Sequence, residues 1–319
     1  MVVRVLDGRE YKLLLEPRRF SGAPGAEQAN QFWSAKIVPI IDRRLGPRGS
    51  GKSRAGQQFE DAKPRVVTYW DTAGRTLTAS EYSLRKRERD GEGAVLTLKL
   101  RTPDQFVVGG TDLPGADEAA KISLEEDIAP VEVACEESRG APVRMATPRS
   151  FRSRFSLSSS QSVSDDDGVS RLGALCARYP TLERSLKSSG AKFAEGSALR
   201  HGPVIREFVF EGAKVKFGKG VTGKFAFTLW YFEPVATVPN VAEISFRCTT
   251  KNGRMPLAAA QRAYALFAGF QEDLTGWVNL RDTSKTELAL PPAGAGAATD
   301  IRRVKKSAAA TPARHLARA

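Results

Sequence analysis

The sequence predicts an α+β fold: an antiparallel β-barrel with a polar lumen and helices packed on its outside. Three observations lead there. Strand-like runs recur along most of the chain, each with apolar residues on one face and charges on the other, because strand side chains alternate with period two. The charged faces are mostly basic with a few acids, drawn from runs far apart in sequence. Helical periodicity is confined to a few segments, the clearest near the C-terminal end. A closed barrel with helices outside gives every apolar face a cover and gathers the charged faces around one lumen.

The elements follow in chain order. Residues 10–16 read as the first strand, with Glu10, Lys12 and Glu16 on one face and Tyr11, Leu13 and Leu15 on the other. Residues 26–45 have helical spacing at Phe32, Trp33, Ile37, Ile40 and Ile41, and Pro39 is expected to kink or split the helix. Gly46, Gly51, Lys52 and Ser53 then match the phosphate-loop pattern GxxxxGK[ST]. A working loop of that type needs a buried strand before it and a firm helix after it. Here Asp42, Arg43 and Arg44 precede it and a polar run to Pro64 follows, so residues 46–64 read as a flexible basic loop insertion.

Residues 66–101 are the most regular stretch. Arg85, Arg87 and Arg89 share one strand face. Leu96, Leu98 and Leu100 oppose Thr97, Lys99 and Arg101 on the next strand. Asp90-Gly91 between them reads as a hairpin turn. Residues 121–128 form a strand with Ser123, Glu125 and Asp127 on one face. Residues 136–168 are Ser-, Arg- and Asp-rich and read as a loop or disordered insertion. Residues 169–179 are a short helix. Residues 204–234 hold at least three strand-like runs, in one of which Lys214 and Lys216 oppose Val215 and Phe217. Residues 241–249 set Glu243, Ser245 and Arg247 against Ile244, Phe246 and Cys248. Pro256 opens the clearest helix. Residues 291–319, with Arg302, Arg303, Lys305 and Lys306, read as a disordered basic tail, leaving 1–290 as a single domain.

The whole-chain bounds agree. The formal net charge is +13 over 319 residues, and the body stays basic without the tail, which favours anionic partners. Cys135, Cys176 and Cys248 form no CxxC pair, which argues against a zinc site or a disulfide framework. His201 and His315 are the only histidines, so Ser-His or Cys-His nucleophilic catalysis has almost no material. No run of about 18 apolar residues occurs. The expectation is a cytoplasmic protein without membrane contact; in a eukaryotic cell the Arg302–Lys306 cluster could serve as a nuclear address.

Three short runs carry a family resemblance. Tyr69-Trp70-Asp71-Thr72, Leu84-Arg85-Lys86-Arg87 and Leu96-Thr97-Leu98-Lys99 resemble the YxDT, LRxR and LTxK strands of the CYTH, or triphosphate tunnel, family, in that order and at about that spacing. The resemblance implies an eight-stranded antiparallel tunnel, and Mg²⁺- or Mn²⁺-dependent hydrolysis of inorganic triphosphate, a nucleoside triphosphate or a similar polyphosphate. It implies that Lys12, Arg85, Arg87 and Lys99 grip phosphate, that Glu10, Glu125, Asp127 and Glu243 hold metal, and that Glu10, Lys12 and Lys99 form the catalytic group. Arg101, Lys214, Lys216 and Arg247 join the substrate-binding set on alternation alone. Three acids of the family pattern are missing, at Gly8, Gly218 and Ser245. A non-catalytic polyphosphate- or phosphate-binding module is therefore the alternative, and a phosphate-loop NTPase a distant third. The tail is expected to add nonspecific contacts to nucleic acid or other polyanions.

Overall fold

The computed structural model describes residues 4–290 except 47–53, 63, 90–92, 137–141, 165–168, 219 and 280–284. The phosphate-loop match beyond Gly46, the Asp90-Gly91 turn and the tail lie outside the described residues.

In chain order the elements are β1 (Gly8–Leu15), α1 (Ala26–Phe32), α2 (Val38–Leu45), β2 (Ala55–Gly56), β3 (Arg65–Thr72), α3 (Thr76–Ala79), β4 (Tyr82–Arg89) and β5 (Gly93–Thr102). There follow α4 (Gln105–Gly110), β6 (Lys121–Glu136), β7 (Pro142–Val163), α5 (Leu172–Arg178), α6 (Leu182–Ser188), β8 (Leu199–His201) and β9 (Ile205–Phe210). The last are β10 (Lys214–Gly218), β11 (Val221–Phe232), β12 (Val241–Thr249), α7 (Leu257–Asp273) and α8 (Lys285–Ala289). The first helical segment is continuous through Pro39 and changes its winding just before it. α1 ends at Phe32, a single π-helical turn spans Trp33–Ile37, and Pro39 follows in the first turn of α2, so the proline is met by a local change of winding rather than by a helix end.

The strands form a closed ring in the order β12-β1-β6-β7-β5-β4-β3-β9-β11, sealed by the pairing of β11 with β12. β10 and β2 extend the sheet from the first half of β11, outside the ring. The ring has nine strands, not eight. The extra one is β7, in the stretch read as a loop insertion. Residues 153–163 pair with β5 or β6 over their length, so the polar composition there belongs to a strand whose backbone is hydrogen-bonded on both sides. A closed ring of nine cannot alternate up and down throughout, since alternation needs an even number. One parallel contact is forced, and it falls between β1 and β6.

The apolar side chains gather into three cores: one, of Val67, Tyr69, Ile205, Trp230 and Val241 with Ala289 of α8, lies on the strand face that also carries Arg65 and Glu207, and the other two lie outside the ring under helices. Of these two, one joins Tyr11, Leu13, Phe225, Phe227 and Phe246 to α1, α2 and α7. Tyr11 stacks on Phe246 with centroids 4.5 Å apart. The other joins Leu84, Leu96, Leu98 and Leu157 to α5 and α6, and the Tyr179 hydroxyl donates to the Leu96 carbonyl at 3.1 Å. Burying such leucines is worth about 1.5–3 kcal/mol each. It is this burial that holds the opposite, charged faces toward the lumen. No described helix is long and apolar enough to cross a membrane.

Candidate functional site

The lumen contains a cavity of about 420 Å³. β1 brings Glu10 and Lys12 to it, β4 brings Arg85 and Arg87, and β5 brings Lys99 and Arg101. Glu125 and Asp127 come from β6, and Glu243 from β12. Arg65 of β3, Arg152 and Arg154 of β7, Glu207 of β9, Glu211 beyond its end, and Lys285 of α8 complete the charged lining. Nine cationic side chains thus face six acidic ones, so the potential inside favours anions.

The charges are organised around two carboxylates. Asp127 is almost fully buried and lies 2.6 Å from Lys12 Nζ, 2.6 Å from Arg101 Nη2 and 3.8 Å from Lys99 Nζ. The Ser156 hydroxyl donates to it at 2.6 Å. Burial alone would push its carboxyl up, but the three cations together hold it well below the usual carboxylate range. Glu10 is likewise pushed up by burial and brought net lower by Lys12, 2.8 Å away. Lys12 is raised in turn, since its two carboxylates outweigh its burial. Lys99 is the poorly compensated member. Burial is the largest influence, Arg101 and Lys12 repel it, and Asp127 at 3.8 Å with Glu125 beyond offsets this only in part, leaving it at about 8.

The second centre is Glu207. Its Oε1 accepts from Trp230 Nε1 at 2.9 Å, and its Oε2 lies 3.4 Å from Arg65 Nε and 3.9 Å from Arg87 Nε. The Arg87 guanidinium is lowered to about 10, first by burial and then by Arg85 beside it. The Nε atoms of Arg65, Arg85 and Arg87 are buried and make no hydrogen bond with any described residue. Buried donors of this kind are normally satisfied, so these invite an acceptor from outside the protein.

Tyr69 of the YxDT-like run lines the cavity, but Asp71 does not. It is buried, and its carboxylate accepts from the Leu77 and Thr78 N–H groups at 3.0 and 2.9 Å and from the Thr78 hydroxyl at 2.7 Å. That aspartate fixes the turn of α3 and holds β3 in place.

Lys214 and Lys216 do not line the cavity. They belong to β10, outside the ring, and are exposed. Alternation places a residue on a face without telling whether that face is enclosed. Arg247 borders a separate groove, and its Nε donates to Glu125 at 2.8 Å. Its guanidinium crosses over Gly8, where an added Cβ would come within 3.1 Å of it, and Gly8 is paired with Glu125 in the parallel β1–β6 ladder. The missing side chain at position 8 is thus what lets β12 bond across β1 to β6.

The four carboxylates expected to hold metal border the cavity, but each is held by a cation. Lys12 holds Glu10, Arg247 holds Glu125, Lys12 and Arg101 hold Asp127, and Lys285 holds Glu243 at 2.6 Å. Among the described residues no three acidic, His or Cys side chains form a group that could hold a metal ion. The donor set therefore does not fit a resident Mg²⁺ or Mn²⁺, which needs several oxygens free to converge. A substitution tests this account. Gly8→Glu alone is expected to pair with Arg247 and leave Mn²⁺ binding unchanged, whereas Gly8→Glu with Arg247→Ala should bind Mn²⁺ measurably tighter by calorimetry. Equal titrations for the two would show that Arg247 is not what occupies the acid.

No family model matches the sequence, and no curated protein matches it. Solved structures do. A Hippeastrum candidate adenylyl cyclase, described as having a dominant triphosphatase activity, is 14% identical with a TM-score of 0.41, over 88% of this chain and 93% of that one. A Bacillus halodurans candidate adenylate cyclase is 12% identical with a TM-score of 0.37, over 89% and 96%. A Pyrococcus horikoshii OT3 protein is 13% identical with a TM-score of 0.31, over 87% and 97%. The closed ring, the helix-covered outer faces and the charged lumen give this chain the form of a tunnel barrel.

Proposed function

We propose that the tunnel binds a linear triphosphate or polyphosphate. The observation that carries this is the set of buried Nε donors of Arg65, Arg85 and Arg87, which make no hydrogen bond with any described residue and share one carboxylate, Glu207, beside the same cavity as the weakly compensated Lys99. A chain of phosphoryl groups offers oxygens on every side along its length, matching donors that project from strands all around a ring. Arg supplies forked contacts to such oxygens and Lys point charges.

A second reading adds hydrolysis of the phosphoanhydride bond assisted by Mg²⁺ or Mn²⁺. What favours it is that Glu10, Glu125, Asp127 and Glu243 border the cavity that would hold the phosphates. With no resident site formed, the cation would arrive on the phosphate oxygens as part of the substrate. In that reading Glu10, Lys12 and Lys99 lie beside the bound chain, orienting it and balancing its charge.

Calorimetry with tripolyphosphate, followed by phosphate release from tripolyphosphate and ATP with and without Mg²⁺ or Mn²⁺, tests both. Binding of tripolyphosphate is expected. Metal-dependent release would select the hydrolase, and binding without release the module. A folded protein that fails to bind tripolyphosphate would sink the reading itself.

A further inference from the structure

The basic face of the lumen wall does not stop at the cavity. Lys214 in β10 lies directly opposite Lys224 in β11, Lys224 opposite Arg247 in β12, and Arg247 opposite Glu10 in β1. Directly opposed residues of an antiparallel ladder present their side chains to the same side of the sheet. Glu10 borders the cavity, so this row is the lumen wall continued past the rim onto the part of the sheet that leaves the ring. Lys216 joins the same face, two residues from Lys214. The residues between and beyond them, Val215 and Phe217, are buried in the core on the other face.

Lys214, Lys216 and Lys224 are exposed and form no ion pair with any described residue. Like charges set directly opposite on neighbouring strands destabilise a sheet, and the Lys214–Lys224 pair has no counter-charge there. The fold needs only the apolar side of β10. Its basic side therefore calls for an anion.

We infer that this ledge holds the part of a linear polyphosphate that projects from the tunnel, so that the ligand class is chains longer than three phosphates. The inference rests on the tunnel reading above and adds a second stretch of contact to it. Three inter-strand steps separate Lys214 from Glu10, about 14 Å at the usual strand spacing, which is room for several further phosphoryl groups. An inorganic chain fits better than a nucleic acid strand. Single-stranded nucleic acid is held by aromatic platforms as well as charge, and among the described residues the β10–β11 ladder sets Lys214, Lys216, Thr222 and Lys224 on the ledge face, with no aromatic ring between them.

The test compares tripolyphosphate with long-chain polyphosphate, by calorimetry at several salt concentrations, on the full chain and on Lys214→Ala/Lys216→Ala/Lys224→Ala. The triple variant is expected to bind tripolyphosphate like the parent. It should bind the long chain about tenfold or more weakly, with the log–log salt slope shallower by about 2, at roughly 0.7 per lost phosphate contact. A Gln triple variant, checked for the parent's circular dichroism, guards against a folding effect. If tripolyphosphate fails to bind the parent, the tunnel reading falls first. If tripolyphosphate binds and the long chain is held equally by parent and variant, the ledge is not used and this inference is wrong. If both ligands lose equally, the lysines belong to the short-chain site and the ledge again fails. A 5′-triphosphorylated RNA that outcompetes polyphosphate, and alone loses affinity in the variant, would overturn the assignment in favour of RNA.

Discussion

Asp127→Ala is expected to destabilise the protein by about 3–5 kcal/mol, the range seen when one partner of a buried ion pair is removed. The carboxylate lies between Lys12 and Arg101, both at 2.6 Å, with Lys99 at 3.8 Å, and little of it reaches solvent. Without it, the hydrogen bond from Arg101 Nε to the Ser156 hydroxyl at 3.1 Å and the pair of Lys12 with Glu10 at 2.8 Å remain, and neither cation keeps its closest counter-charge. Urea unfolding measures the loss. Tripolyphosphate should restore much of it, because an anion in the cavity supplies the missing counter-charge; a ligand at a hundred times its Kd adds about 2.7 kcal/mol. The variant's gain in Tm on adding tripolyphosphate should exceed the parent's. The pH dependence has a definite sign. The folded-state carboxyl is held well below its ordinary value, so its contribution is fully present above the unfolded value of about 3.9. It is lost as pH falls through the lower folded value. The variant should lack that acid limb. A variant as stable as the parent near neutral pH would mean that Asp127 is not the counter-charge of this cluster.

The sequence made much of this arrangement legible for a simple reason. Lys12, Arg85, Arg87, Lys99 and Arg101 each sit one residue from apolar neighbours that must be buried, so the pleat alone sends the bases the other way. Arg152 and Arg154 carry a fainter version of the same signal. Phe155 and Leu157 face out while Arg152, Arg154 and Ser156 face in, but the serines thin the apolar face until the run looks like a loop. Arg65 is the first residue of β3, with no full period before it to reveal its face. Glu207 and Lys285 reach the cavity through tertiary placement that local pattern does not encode. Nor does it show what a carboxylate touches. Glu125 was readable as a lumen acid, yet its partner Arg247 stands two strands away, across a glycine. The loss of convergent metal ligands is a property of the closed ring, and no single strand displays it.

Lys99→Ala and Arg87→Ala are each expected to weaken tripolyphosphate binding by about 1.5–3 kcal/mol, the worth of a charge-assisted contact in a desolvated site, while leaving the fold intact. Neither side chain anchors the framework. Lys99 lies 3.8 Å from its nearest carboxylate and Arg87 lies 3.9 Å from Glu207, beyond hydrogen-bonding distance in both cases. Removing Lys99 should even relieve repulsion from Lys12 and Arg101, so Lys99→Ala is expected to be no less stable than the parent. Its titration gives a sharper test than affinity alone. In the empty tunnel Lys99 titrates at about 8, held down mainly by burial. A bound polyanion favours its charged form and raises that value. Binding above pH 8 must then take up a proton, and affinity should fall as pH rises through 8, by up to tenfold per unit, until the bound-state value is reached. Calorimetry in buffers of differing ionisation enthalpy reads the proton directly. Lys99→Arg keeps the charge at every pH, so both the proton uptake and the alkaline decline should vanish while binding persists. If the decline survives in Lys99→Arg, another group is responsible and Lys99 does not touch the phosphate chain. If affinity is unchanged in both Lys99→Ala and Arg87→Ala, this face of the tunnel does not hold the ligand.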